Sequence, residues 1–316
     1  MSGGAAPALI VVLGPTASGK TDVSVSLAEA LGAEIVCADS RQLYAGLDIG
    51  TGKPSASQRA RVPHHLIDTL DPSEAANAAA YARAARAAIA QIRERGMRAI
   101  VTGGSGLYVR ALLDGIFDGP GRNAQLRTEI AERAARMGWA ALHAEVAERD
   151  PESAARIHPN DAVRITRALE IMKMTGLSAS EARRRGAMPP IELGYRAFAI
   201  DWPRGALDER IRARFSAMLD AGLVAEVRAL LARGVAADAP AFDAPGYREI
   251  VAHLAGEMTL ERAAELAIIA TRQYAKRQMT WFRRVAALEW ISAQPTSEET
   301  ARRVLDALAA SDGAKA

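Results

Sequence analysis

Cysteine is nearly missing from this chain, since Cys37 is the only one in 316 residues. An internal disulfide and a thiolate metal cage are thereby excluded. Aromatic residues reach only 5%, although hydrophobic residues make up 49%. The apolar mass is therefore mostly Ala, Leu, Val and Ile, which suits Ala-rich helices around a buried sheet and excludes disorder. Net charge is scarce as well: 40 basic and 37 acidic residues leave only +3. A site for a polyanion must come from local clustering rather than overall balance. Long apolar runs are absent, and "ALIVVLG" near the start is too short for a secretory core or a membrane span. A soluble, cytoplasmic protein with no membrane partner is expected, and the length suggests about two domains.

What is present begins with "GPTASGKT", residues Gly14, Pro15, Thr16, Ala17, Ser18, Gly19, Lys20 and Thr21. The pattern G-x-x-x-x-G-K-[ST] lets backbone N–H groups close around phosphate oxygens, with the lysine reaching the phosphates and the hydroxyl helping to hold Mg²⁺. Such loops most often serve ATP or GTP, yet any diphosphate offers the same oxygens. The context supports a real site. "ALIVVL" at 8–13 reads as a buried parallel strand, and a helix runs from Lys20 to Leu31 with Gly32 as its C-cap. Further strands are expected at 33–40, 97–104, 194–203 and 288–292, with an Ala/Arg-rich helix at 74–95. The fold class is α/β, a P-loop-type parallel sheet flanked by helices. Residues 121–189 read as an all-helical insertion domain between the two parts of the core, 1–120 and 190–316. The tail "ASDGAKA" should fray.

Asp39 and Ser105 follow the second and third strands, at the carboxyl edge where open parallel sheets place site residues. A turn or cap role would explain either equally well. The segment "RQYAKRQMTWFRR" holds five basic residues and no acid. On a helix Arg272, Lys276, Thr280 and Arg283 share a stripe, a track for phosphates or simply a solvated face. Arg164 and Arg167 form a second basic pair, and Gly246, Tyr247 and Arg248 combine an aromatic with a cation, as base stacking requires. The histidines, His64, His65, His143, His158 and His253, lack ligand spacing and read as structural.

"GPTASGKT", "DSRQLYAGLDIGTGKP", "PHHLIDTLDP", "GGSGLYVRALL", "RIHPNDAVRITRALEI", "GYREI" and "ATRQYAKRQMTWFRR" occur in this order over about 270 residues. In this the chain resembles the bacterial tRNA dimethylallyltransferase family, also called tRNA isopentenyltransferases. The resemblance implies that the loop holds dimethylallyl diphosphate with Mg²⁺. It implies that the prenyl group goes to the exocyclic amine of the adenosine just 3′ of the anticodon. Asp39 would be the base, Ser105 would orient the reacting groups, Thr21 would serve the metal, and Arg210 would reach the diphosphate. The anticodon stem-loop of tRNA would be met by Asp39, Ser40, Arg41, Gln42 and Ser105, and by Arg127, Val163, Arg164, Ile165, Thr166 and Arg167. Ala244, Pro245, Gly246, Tyr247, Arg248 and Glu249 would join them. So would Lys276, Arg277, Gln278, Met279, Thr280, Trp281, Phe282 and Arg283. A monomer is expected. Two departures stand out: Ser105 replaces the usual Thr, and Gly52 lies in a stretch that more often reads "TAKP". A small-molecule kinase, a prenyltransferase of free adenine nucleotides and a nucleotide-dependent RNA-binding module are the rival readings.

Overall fold

The computed structural model describes residues 9–285 and 287–313. In chain order the elements are β1 (Leu9–Leu13), α1 (Lys20–Leu31), β2 (Ala33–Cys37), α2 (Ala56–Arg61), β3 (His64–His65), α3 (Ala78–Glu94), β4 (Arg98–Gly103) and α4 (Gly106–Leu113). Helices α5 (Ala124–Met137), α6 (Trp139–Arg149), α7 (Pro151–Ala154), α8 (Ala162–Thr175) and α9 (Ala179–Arg185) follow. Then come β5 (Tyr195–Asp201), α10 (Arg204–Asp220), α11 (Leu223–Ala232), α12 (Tyr247–Leu254), α13 (Leu260–Phe282), β6 (Leu288–Ser292) and α14 (Ser297–Gly313).

Two compact units emerge, one built from the chain up to Leu112 and from Ile191 onward, the other from Leu113–Pro190. The first holds a six-stranded sheet, all parallel, in the order β3-β2-β4-β1-β5-β6. β1 is buried at every position because it lies between β4 and β5 with helices over the sheet. Its unbroken LIVVL run is what a strand covered on both faces needs. Against one face pack Val23 and Leu27 of α1 with Ala301, Val304 and Leu308 of α14. Leu27 is fully buried, and such a side chain contributes about 2 kcal/mol relative to exposure. A separate core, with Phe215, Val227, Phe242 and Tyr247, joins α10, α11 and α12 to the 44–47 loop.

The second unit is helical, with Ile130, Leu142, Val146, Ile165, Leu169 and Met172 at its centre. Asp150 organises it from within. Its two carboxylate oxygens accept N–H groups of Ser153 at 3.0 Å and Ser180 at 2.7 Å.

Some boundaries differ from expectation. The second strand stops at Cys37, where the chain leaves the sheet toward the site. α3 starts at Ala78 because the Asn77 side chain caps Ala79 and Ala80. The last helix continues to Gly313, while the remainder of the expected frayed tail lies outside the described residues. Among the described residues no helix is long and apolar enough to cross a membrane.

Candidate active site

Because the sheet is parallel, the loops after β1, β2 and β4 collect at one edge. After β1, Gly14 to Gly19 curl into α1, and Ser18 N–H closes on Pro15 O at 3.2 Å. Ala17 holds φ 64°, a left-handed conformation that costs a non-glycine residue about 1 kcal/mol. Trp202 Nε1 donates to Ser18 O at 2.9 Å, and Arg210 Nε donates to Ala17 O at 2.8 Å. The Arg210 guanidinium also lies 4.4 Å over the Trp202 ring. Arg210 is therefore a brace of the loop as well as part of its rim.

Lys20 opens α1 and is buried, with Nζ 3.4 Å from Pro15 O. Burial lowers its pKa to about 8, with the Asp39 charge opposing and Arg214 reinforcing the shift. Arg214, one turn beyond Arg210 on α10, is absent from the sequence-derived site. Its Nη2 donates to Thr51 O at 3.4 Å. Gly52 (φ 59°) makes room for it, because a Cβ there would overlap Nη2. The i, i+4 spacing in "RIRARF" is the signal that could have found Arg214.

Two cavities meet at Thr16, Ala17, Asp39, Thr51 and Arg214. One, about 530 Å³ and open, is lined by Lys20, Thr21, Asp22, Gln42 and Arg210. The other, about 70 Å³, has Ile211, Phe215 and Met218 on its wall and Tyr274 beside them. A cationic chamber thus adjoins an apolar one, with a carboxylate at their junction.

Asp39 Oδ1 accepts the Arg41 N–H at 2.9 Å, so the turn role is real. Its Oδ2 has no hydrogen bond among the described residues and is open to a ligand. Ser105 Oγ accepts Ser40 N–H at 2.9 Å and donates to Ser40 Oγ at 3.2 Å. Ser105 therefore fixes the segment that carries Asp39. Tyr274, another residue that sequence reading missed, has its phenol pushed up to about 12 by burial and by Asp39, with the Ser105 hydroxyl pulling the other way. It lies one turn before Gln278, within the very segment whose charges draw attention first.

Arg41 donates to Pro240 O and Asp243 O, at 3.0 and 3.4 Å. Gln42 is buried and donates to Gly52 O at 3.1 Å. Tyr247 departs from the stacking role. It is fully buried, its ring lies 6.3 Å from Phe242, and its hydroxyl donates to Glu226 at 2.6 Å. Glu226 also accepts the N–H groups of Asp48 and Ile49, so this corner is structural. Ala244 and Gly246 are buried, Pro245 lines the smaller cavity, and Glu249 caps Gly246 N at 2.7 Å. Arg248 is exposed and paired with Asp243.

On α13, Lys276, Arg277, Thr280 and, just after it, Arg283 are exposed. Met279 and Trp281 are half-buried, whereas Gln278 and Phe282 are buried. Arg272 leaves the stripe, being half-buried 3.5 Å from Asp208. In the Leu113–Pro190 unit, Val163 and Arg164 are exposed, Thr166 is half-buried and Ile165 is buried. Arg127 and Arg167 both bind the buried Glu170 carboxylate. Burial alone would raise the Glu170 pKa, but Arg127, the Asn123 N–H and Arg167 bring it down to about 2. The histidines serve the fold, as His65 does on Glu34 at 2.6 Å and His143 on Ile157 O at 2.9 Å.

The IPP transferase family model matches residues 42–285. A tRNA dimethylallyltransferase of Anaeromyxobacter sp. (strain Fw109-5) is 49% identical over 94% of this chain and 98% of its own. Among solved structures, the tRNA isopentenylpyrophosphate transferase of Bacillus halodurans superimposes with TM-score 0.70 at 36% identity, covering 97% of both chains. A eukaryotic dimethylallyltransferase acting on tRNA gives TM-score 0.78 at 25% identity, over 96% of this chain and 78% of that one. The chain belongs to the IPP transferase family.

Proposed function

We propose that the protein transfers the dimethylallyl group of dimethylallyl diphosphate to the exocyclic amine of the adenosine immediately 3′ of the anticodon in tRNA, releasing pyrophosphate. The observation that carries this reading is the junction of the two cavities at Asp39. The larger one presents Lys20, Arg210 and Arg214 to a diphosphate. The smaller one, about 70 Å³, has room for about five to seven water-sized groups at roughly 10–15 Å³ each, enough for a five-carbon tail.

The allylic C–O bond breaks and its electron pair leaves with pyrophosphate, whose charge the preorganised cations stabilise. The adenine nitrogen supplies the pair for the new C–N bond. Its lone pair is delocalised into the ring, so a carboxylate that accepts the amine proton aids the attack. Asp39 stands ready for this, since one oxygen is fixed by Arg41 N–H and the other is open. Ser105 holds that segment in place through Ser40.

Mg²⁺ fits the donor set. The larger cavity offers the Thr21 hydroxyl and the Asp22 carboxylate, both oxygen, and leaves Asp39 free to accept the proton. Magnesium keeps several waters and shares substrate phosphates, so the lack of a dense cluster of protein ligands among the described residues suits it. Bound there, it would screen the charge of the diphosphate.

The RNA partner is supported by the exposed cations Lys276, Arg277 and Arg283. A target base must leave its stack to reach Asp39 between the cavities. Incubation with dimethylallyl diphosphate and either unmodified tRNA or AMP, with ATP as control, tests the reading. Transfer to tRNA alone is expected. Transfer to AMP, or phosphoryl transfer from ATP, would overturn it.

A further inference from the structure

Gln278 sits on α13 among residues whose charge suggests RNA contact, yet its side chain turns away from solvent. It is 5% exposed, and both ends of its amide are used. Its Oε1 accepts Thr16 N–H at 2.9 Å, and its Nε2 donates to Gly104 O at 2.8 Å. These partners lie 262 and 174 residues away in sequence. One belongs to the phosphate loop after β1, the other to the turn after β4 that presents Ser105. The fit is close: a Cβ on Gly104 would overlap Nε2, so only glycine admits the amide here. Tyr274, Gln278 and Trp281 are spaced i, i+4, i+7, which puts them on one face of α13. Tyr274 lines the smaller cavity and Trp281 packs on Gly106. That face rests on the loops, while Lys276, Arg277 and Thr280 face solvent.

We propose that Gln278 is a positioning residue for the diphosphate loop, setting its distance from the Ser105 turn, and is not an RNA contact. The inference rests on the proposed function for the identity of the anion, though not for the tether. One corollary is specific. The Thr16 N–H is engaged by Gln278 and is not a phosphate donor, so the loop must cradle the anion with its remaining amides and with Lys20.

Methionine is unbranched and of matching length but cannot replace either bond, and leaving buried partners unmet weakens what they hold. In the full chain, Gln278→Met should weaken inorganic pyrophosphate binding, measured by calorimetry with Mg²⁺ and no RNA, about tenfold or more. Its tRNA affinity without donor should stay within twofold of wild type. Gln278→Glu keeps the acceptor for Thr16 and regains a donor for Gly104 when protonated. Its pyrophosphate affinity relative to wild type should therefore recover as pH falls from 7 toward 5, a response that a packing role would not produce. Pyrophosphate binding within twofold of wild type in Gln278→Met would overturn the proposal. So would a tenfold loss of tRNA affinity with pyrophosphate binding intact. If Gln278→Met does not fold, the pH response of Gln278→Glu decides, and a flat ratio overturns the proposal. Pyrophosphate binding without prenyl transfer by the wild type would count against the proposed reaction and leave the tether standing.

Discussion

The Ser105 hydroxyl accepts the backbone N–H of Ser40 at 2.9 Å, joining the ends of β4 and β2 beside Asp39. The orientation of the carboxylate is thus set from two sides, by Arg41 N–H on its own loop and by Ser105 across the sheet edge. Asn can keep the first of these bonds and leaves the second untouched. Asp39→Asn should therefore fold and bind tRNA as wild type does, while single-turnover prenyl transfer slows by about 10² to 10⁴. A rate within a few-fold of wild type, with donor and tRNA saturating, would assign Asp39 to the turn alone.

Lys20 gives the site a pH dependence. Burial lowers its pKa to about 8, so the unliganded protein loses this charge as pH rises through 8. Pyrophosphate binding should weaken above that pH and be accompanied by proton uptake, because the anion favours the ammonium form. Calorimetry at pH 8.5 in buffers of different ionisation enthalpy measures the uptake directly. The sign for folding is separate. A lysine held below 10.5 disfavours the folded state when protonated, so its cost is greatest below pH 8 and disappears by about pH 10.5.

Gly52→Ala should displace the Arg214 guanidinium from its seat beside Thr51. Because the arginine end is flexible, the protein should still fold, with a backbone cost of about 1 kcal/mol for alanine in the left-handed region. The expected outcome is a rise of about five- to tenfold in KM for the prenyl donor, with the tRNA KM unaltered. An unchanged donor KM would mean that Arg214 does not act from this seat.

The exposed cations of α13 predict a salt effect. Lys276→Ala and Arg283→Ala should each weaken tRNA binding and flatten the slope of log affinity against log salt by about 0.7 to 0.9 per lost phosphate contact. Slopes equal to that of wild type would return these residues to an ordinary solvated surface.

Glu170 should govern the acid stability of the Leu113–Pro190 unit. Its pKa falls from 4.5 to about 2, so the stabilisation is present above 4.5 and lost as pH drops toward 2. Glu170→Gln should cost about 2 kcal/mol at neutral pH, the scale of hydrogen bonds to a buried charge. The gap from wild type should close below pH 4.5. Hydrogen exchange in the helices of this unit across that range measures it.

Local signals made the phosphate loop legible. A branched apolar run, the glycines, Lys20 and the Gly32 cap all lie within 25 residues, and each acts on its near neighbours. The order of the strands along the chain similarly implied a parallel sheet and placed Asp39 and Ser105 at its working edge. What escaped depends on distant partners. Tyr247 beside Arg248 has the composition of a stacking loop, but the ring is claimed by Phe242 and the hydroxyl by Glu226 of α11. Arg272 belongs to the basic stripe by spacing and to Asp208 by packing. Gln278 carries no sign in its neighbours that its amide reaches two loops made more than 170 residues earlier. Side-chain destination, not element type, was the hidden variable.

The position of β1 between β4 and β5, with α14 packed on α1, has a consequence for how the protein comes into being. The phosphate loop is synthesised well before the elements that complete its support: its strand has β4 but lacks its second neighbour until Tyr195–Asp201 exists, and its helix lacks part of its cover until Val304 and Leu308 do. At a translation rate of about 5–20 residues per second, that wait lasts about 15 to 60 s. During it α1 can pack on β1, β2 and β4 but not on α14, so the part of its apolar surface that Val304 and Leu308 cover stays open. That makes the nascent segment around α1 one in need of a chaperone.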